Sequence, residues 1–139
     1  MAYCTQTNIE DRIGREDLLR LSDHDGDGTP DADVVEQAIW HAQGDLDSYL
    51  QVKFEVPIVP TPAVLEKHCV TMAVYYLQLG RDSVTENMRN AYKDILAWLK
   101  DVVAGKAALG GAVAPAESSG APSVRYESQD RVFGRDKDL

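Results

Sequence analysis

The densest chemistry in the sequence is a run of carboxylates, Asp23-His24-Asp25-Gly26-Asp27-Gly28-Thr29-Pro30-Asp31. Counted from Asp23, acidic side chains fall at positions 1, 3, 5 and 9 with glycine at 6, the spacing of an EF-hand-like loop. A hard cation such as calcium takes about six to eight oxygens, and alternating aspartates around a tight turn converge on it. Asp23, Asp25 and Asp27 would supply carboxylates, Thr29 a backbone carbonyl, and Asp31 a direct or water-mediated contact. These five residues are the candidate ligands of a structural calcium ion. Position 12, where a bidentate glutamate belongs, is Val34, with Asp33 one residue early and Glu36 two residues late. Coordination is therefore expected to be incomplete or completed differently. The same residues also read as turn formers, with Asp31 as the N-cap of a following helix. No second loop pairs with this one, so a bound ion would be a staple rather than a sensor.

Other reactive side chains give less. His24, His41 and His68 are scattered, and no serine or cysteine can be assigned a base and an orienting acid, so no enzyme is expected. His24 falls at a non-ligand position of the loop. Gly26 and Gly28 are not followed by a lysine and make no phosphate cradle. Cys4 and Cys69 lack CxxC spacing and zinc-type partners, and reduced thiols are expected. Trp40 and Trp98 lie on helical stretches, and Tyr75 and Tyr76 are adjacent, so one of that pair points away from the core. Trp40, Tyr75 and Trp98 are core-edge residues or, in a sharper reading, part of a subunit interface, where aromatics are enriched.

The elements that must position these groups follow from apolar spacing. Residues 7 to 22 form a helical hairpin or broken helix with Ile9, Ile13, Leu18, Leu19 and Leu21 inward and Gly14 as the break. Thr7 and Glu10 have capping-box spacing. After the acidic loop, Asp31 to about Lys53 carries Val34, Val35, Ala38, Ile39, Ala42, Leu46, Tyr49 and Leu50 on one face, with Gly44 a weak point. Pro57, Pro60 and Pro62 make residues 54–62 an extended connector, with Thr61 as N-cap and Pro62 at the first helical position. A third long helix carries Val64, Leu65, Cys69, Met72, Ala73, Tyr76 and Leu79 inward and ends near Gly80. A fourth, from about Thr85, presents Met88, Tyr92, Ile95, Leu96, Leu99 and Val103 and stops at Gly105.

The expected fold is all-α, a compact bundle of four or five helices over residues 1–105. Gly, Ala, Ser and Pro dominate 106–123, the composition of a flexible linker. Residues 124–139 regain Tyr126, Val132 and Phe133 among charges, too few for a core but enough to dock as a peptide arm, with Arg135 beside them. At 139 residues the chain fits one domain. No apolar run reaches the roughly 18 residues of a membrane span. Residues 1–7 show neither an export signal nor a lipidation pattern, so the protein is expected to act where it is made. The net charge of −9 argues against gripping duplex DNA by its phosphates, though not against a surface that DNA passes.

Four stretches in order carry a resemblance: Met1-Ala2-Tyr3 with Thr5-Gln6, the loop 23–31 followed by Val34-Val35, the connector 50–57, and Arg131-Val132-Phe133-Gly134-Arg135-Asp136. Together they resemble the Mu-like phage head-to-tail connector family, over essentially the whole chain. Cys4, Asp33 and the length of the 112–123 linker are departures from that pattern. The resemblance implies a small helical protein that forms a homo-oligomeric ring beneath the portal, in the virion neck. It implies portal and tail or neck proteins as partners, DNA passing through the channel without specific binding, and assembly in the host cytoplasm. In such a ring the arm, through Tyr126, Val132, Phe133 and Arg135, would catch a neighbour. The alternative is a cation-responsive protein-binding module controlled by the acidic loop.

Overall fold

The computed structural model describes residues 2–110, and its helices follow the apolar spacing of the sequence. Among the described residues they form an all-α bundle without strands: α1 (Gln6–Ile13), α2 (Arg15–Ser22), α3 (Ala32–Leu50), α4 (Ala63–Gly80) and α5 (Glu86–Val103). The break between α1 and α2 falls at Gly14, whose φ of +89° is a conformation that side-chain-bearing residues avoid. The capping box at the start of α1 lies two residues earlier than Thr7. Thr5 Oγ1 accepts from the Asn8 backbone N–H at 3.2 Å, and Asn8 Oδ1 accepts from the Thr5 N–H at 2.8 Å. An asparagine does here what the capping-box pattern assigns to glutamate or glutamine.

Helix α3 passes through Gly44 without interruption and ends at Leu50, three residues short of Lys53. Its buried face is Val35, Ala38, Ile39, Ala42, Leu46 and Leu50, a stripe of helical period. The N-cap position of α4 falls on Pro62 rather than Thr61, and no side chain caps it. α4 is the centre of the bundle. It packs most extensively on α3 and touches α1, α2 and α5 as well. Its buried set therefore includes every residue from Cys69 to Val74, together with Leu65 and Leu77. Leu79, expected inward, is half exposed, and Leu77 takes the core position instead. A helix surrounded by neighbours has no single apolar stripe, which is why the spacing misplaced its end.

Thr85 caps α5 by accepting from the Met88 N–H at 3.1 Å, and Ile95, Leu99 and Val102 are its buried residues. Gly105, at φ +84°, ends the helix region. The chain stays packed beyond it, with Leu109 buried in the core. The expected arm 124–139, including Tyr126, Val132, Phe133 and Arg135, lies outside the described residues, as does 111–123 of the expected linker. None of the helices among the described residues is long and apolar enough to cross a membrane.

Candidate functional site

The loop between α2 and α3 is closed at its base by backbone. The Asp31 N–H donates to Ser22 O at 3.1 Å, and the His24 N–H donates to Asp31 Oδ2 at 3.0 Å. Within it, Asp23 Oδ1 accepts from the N–H groups of Gly26 and Asp27, and Asp23 Oδ2 accepts from Gly28 at 2.9 Å. Asp25 Oδ1 accepts from Asp27 N–H, and Asp27 Oδ1 accepts from both the N–H and the hydroxyl of Thr29. The turn-forming reading of these aspartates is thus realised in detail. Asp31 occupies the N-cap position of α3 but gives it no side-chain cap; its carboxylate serves His24 instead.

The same folding gathers one oxygen each from Asp23, Asp25, Asp27 and Asp31 to within 4.8 Å of one another. Two oxyanions about 4 Å apart repel by about 1 kcal/mol in water. The hydrogen bond from Gly28 N–H, foremost among several, holds the Asp23 carboxyl below its ordinary value. The neighbouring Asp23 carboxylate, by a side-chain hydrogen bond, pushes Asp25 the other way. This donor set is all hard oxygen and suits calcium by type, and Asp23, Asp25, Asp27 and Asp31 are the side chains that would hold it. Val34 at position 12 brings no donor, so such an ion would rely on backbone carbonyls and water for the remainder. Arg81, just past α4, reaches the loop and donates from Nη2 to Asp23 O at 3.1 Å. The loop is thereby tied to the central helix, a link that linear spacing did not mark.

A second carboxylate cluster lies on α3 and was not expected. Asp45 Oδ2 accepts from Tyr76 Oη of α4 at 2.5 Å and from Tyr92 Oη of α5 at 2.9 Å, so one carboxylate joins three helices. Two residues on, Asp47 Oδ1 accepts from Tyr3 Oη at 2.5 Å, and Tyr3 Oη accepts from Ile58 N–H at 3.0 Å. Burial, helped by the adjacent carboxylates, raises Tyr3 and Tyr76 above the ordinary phenol range. Burial also raises Asp47, against the pull of its Tyr3 hydrogen bond. The available signal was Tyr76 and Tyr92 themselves: a phenol placed on a core face needs a partner for its hydroxyl.

Tyr75 and Tyr76 do not divide into one inward and one outward ring. Both are half-buried, and Tyr75 stacks on Tyr92 with centroids 4.3 Å apart. Trp98 is partly buried against the core, edge-on to His68 at 4.7 Å, and burial lowers the His68 pKa. Cys4 and Cys69 are free thiols in the core with sulfurs 3.1 Å apart. Trp40 is the outlier, 72% exposed on α3.

Comparison with known proteins places these features in a wider set. The family model described as Bacteriophage Mu, Gp36 matches residues 3–126. Gene product J of Escherichia phage Mu is 33% identical over 137 residues, covering 97% of this chain and 96% of that protein. The Mu-like prophage FluMu protein gp36 of Haemophilus influenzae is 33% identical over 101 residues, covering 73% of this chain and 70% of that protein.

Proposed function

The chain belongs to the Bacteriophage Mu, Gp36 family, and from that premise we propose that it is a structural virion protein that forms a ring between portal and tail. In this reading it extends the DNA channel, joins head to tail in the virion neck, and assembles in the host cytoplasm. Its work is mechanical rather than catalytic. The observation that carries the proposal is the end-to-end similarity to a Mu phage gene product, 97% of the chain. Two physical features support it. A ring subunit needs separate side surfaces for its two neighbours, and large apolar side chains are exposed at Trp40, Val52, Val59 and Leu79. A net charge of −9 lets DNA pass a channel wall by repulsion rather than adhere to it. Removing the gene from a phage that carries it should yield filled heads and free tails in electron micrographs. Joined, infectious particles without the protein would end the connector reading.

A second reading attaches to the loop. In it a calcium ion held by the four oxygens that lie within 4.8 Å of one another would staple α2 to α3, with Thr29 contributing its backbone carbonyl. As a cation-responsive module, the chain would change partner affinity when this site fills. Calorimetry of the full chain should then show calcium binding, with a raised melting temperature. No heat at millimolar calcium would remove both forms of this reading.

A further inference from the structure

Trp40 is the most exposed of the large apolar side chains named above, and its ring stands between open grooves rather than on a plain face. One, of about 430 Å³, runs along α3 past Trp40, Gly44, Asp45 and Asp47 to Tyr76. A second, of about 570 Å³, is bounded by Trp40, Ile39, Glu36 and the N-terminal residues Ala2 and Thr5. A shallower one lies over Asp33, Glu36, Gln37 and Trp40. Among the described residues four carboxylates line these grooves, and no lysine or arginine does. An exposed indole ringed by acid is suited to a peptide that brings apolar side chains flanked by guanidinium groups. Arginine pairs with carboxylates and also stacks on indole.

The chain carries such a peptide. Arg131-Val132-Phe133-Gly134-Arg135 sets two apolar side chains between two arginines, and Arg125 with Tyr126 precedes it. Reach is sufficient. A Cβ added at Gly105 would lie 3.8 Å from Lys53 Nζ, so the chain just past α5 is within a lysine side chain's length of the chain just past α3. From Leu50 back to Trp40 is roughly 15 Å of helix. A chain of Gly, Ala, Ser and Pro composition as long as that from Gly110 to Arg131 spans roughly 25 Å on average. Tethering also gives the segment a millimolar effective concentration at the groove.

We propose that the acidic groove around Trp40 is the docking site for the chain's own C-terminal segment, residues 124–139, with Val132 and Phe133 covering the indole and Arg131 and Arg135 meeting the surrounding carboxylates. The proposal does not depend on the connector role, since it concerns the isolated chain.

The test uses the full-length protein and its tryptophan fluorescence. With the segment docked, Trp40 emission lies to the blue of that in the R131E/R135E and F133A variants, and acrylamide quenches it less, by about half if the segment covers half of the exposed ring. Those substitutions lie beyond the described residues 2–110 and change none of the core side chains named above; circular dichroism of each variant checks that its helix content matches the parent's. In W40F the difference between intact and altered segments must vanish, which separates Trp40 from Trp98. The charge reversal E36R should loosen the segment in the same assay, and E36R combined with R135E should tighten it again. Equal quenching with intact and altered segments would overturn the proposal, as would a difference that persists in W40F.

Discussion

The aspartates of the 23–31 loop and the two aspartates on α3, Asp45 and Asp47, are one side chain put to two uses. In the loop each carboxylate accepts from backbone N–H groups no more than seven residues away, in solvent. On α3 each accepts from tyrosine hydroxyls 31 to 47 residues distant, in half-buried surroundings. The loop aspartates shape a local turn and concentrate negative charge. The α3 aspartates fasten elements together. The difference teaches that the motif visible in the sequence is the less important one for stability, because exposed carboxylates bonded to nearby amides exchange water for little gain, whereas part-buried ones bonded across helices leave orphaned phenols when removed.

The sharpest way to break this contrast is Asp45→Ala. It strips the acceptor from Tyr76 and Tyr92 together, and hydrogen bonds to a charged group contribute about 1.5–3 kcal/mol each. Partial solvent access reduces the sum, and a loss of about 2–3 kcal/mol in urea unfolding is expected. Asp45→Asn, which keeps one acceptor oxygen, should lose less. A D45A protein within about 0.5 kcal/mol of the parent would show that the three-helix junction carries no more weight than a surface residue.

The next test concerns pH. Burial raises the Asp47 carboxyl above 3.8, so the folded chain holds this proton more tightly than the unfolded chain does. Its contribution to stability is therefore fullest below 3.8 and declines as pH rises through the raised folded value. Asp47→Asn removes that decline while leaving an acceptor for Tyr3. The stability of the parent relative to D47N should fall on titrating upward from acid, by less than the Asp45 effect because Asp47 keeps partial contact with water. A difference that stays flat, or that grows with pH, would mean that the hydrogen bond from Tyr3 outweighs burial at this position.

How much could be read beforehand divides along the same line. The loop was legible because its information is contiguous: aspartates two residues apart with glycines between them bend the chain in one way whatever lies around them. The four apolar patterns were legible through period, down to the break at Gly14 and the start of the last helix at about Thr85, though not the cap that Thr85 supplies. Helix α4 was only partly legible, since burial on nearly all sides erases the stripe that orients a helix, and Leu77 and Leu79 changed places. The first capping box escaped because Asn8 replaced the expected acid or amide of longer reach. Tyr3, Asp45 and Asp47 were illegible as a set. Their pairings join residues 44, 31 and 47 positions apart: the packing of α3 against α4 and α5 brings Asp45 to Tyr76 and Tyr92, and the segment ahead of α1 brings Tyr3 to Asp47.

The smallest effect, and the one that tests the loop side of the comparison, is Asp27→Asn. In chelator the variant should keep the parent's urea midpoint, since Thr29 can still bond to the remaining amide oxygen and the lost charge relieves its neighbours. With calcium added, the parent's midpoint should rise and that of D27N should rise less, because one of four converging oxygens has lost its charge. Arg81→Ala supplies the control: it unties the loop from α4 by removing the bond to Asp23 O, yet it touches no proposed ligand side chain. If D27N destabilises the chain in chelator as much as D45A does, the loop is a structural keystone in its own right and the contrast collapses. If it does nothing in chelator and matches the parent in calcium, the loop is a turn whose charge repulsion is simply tolerated by water, and the fastening of the bundle rests with the tyrosines and their two aspartates.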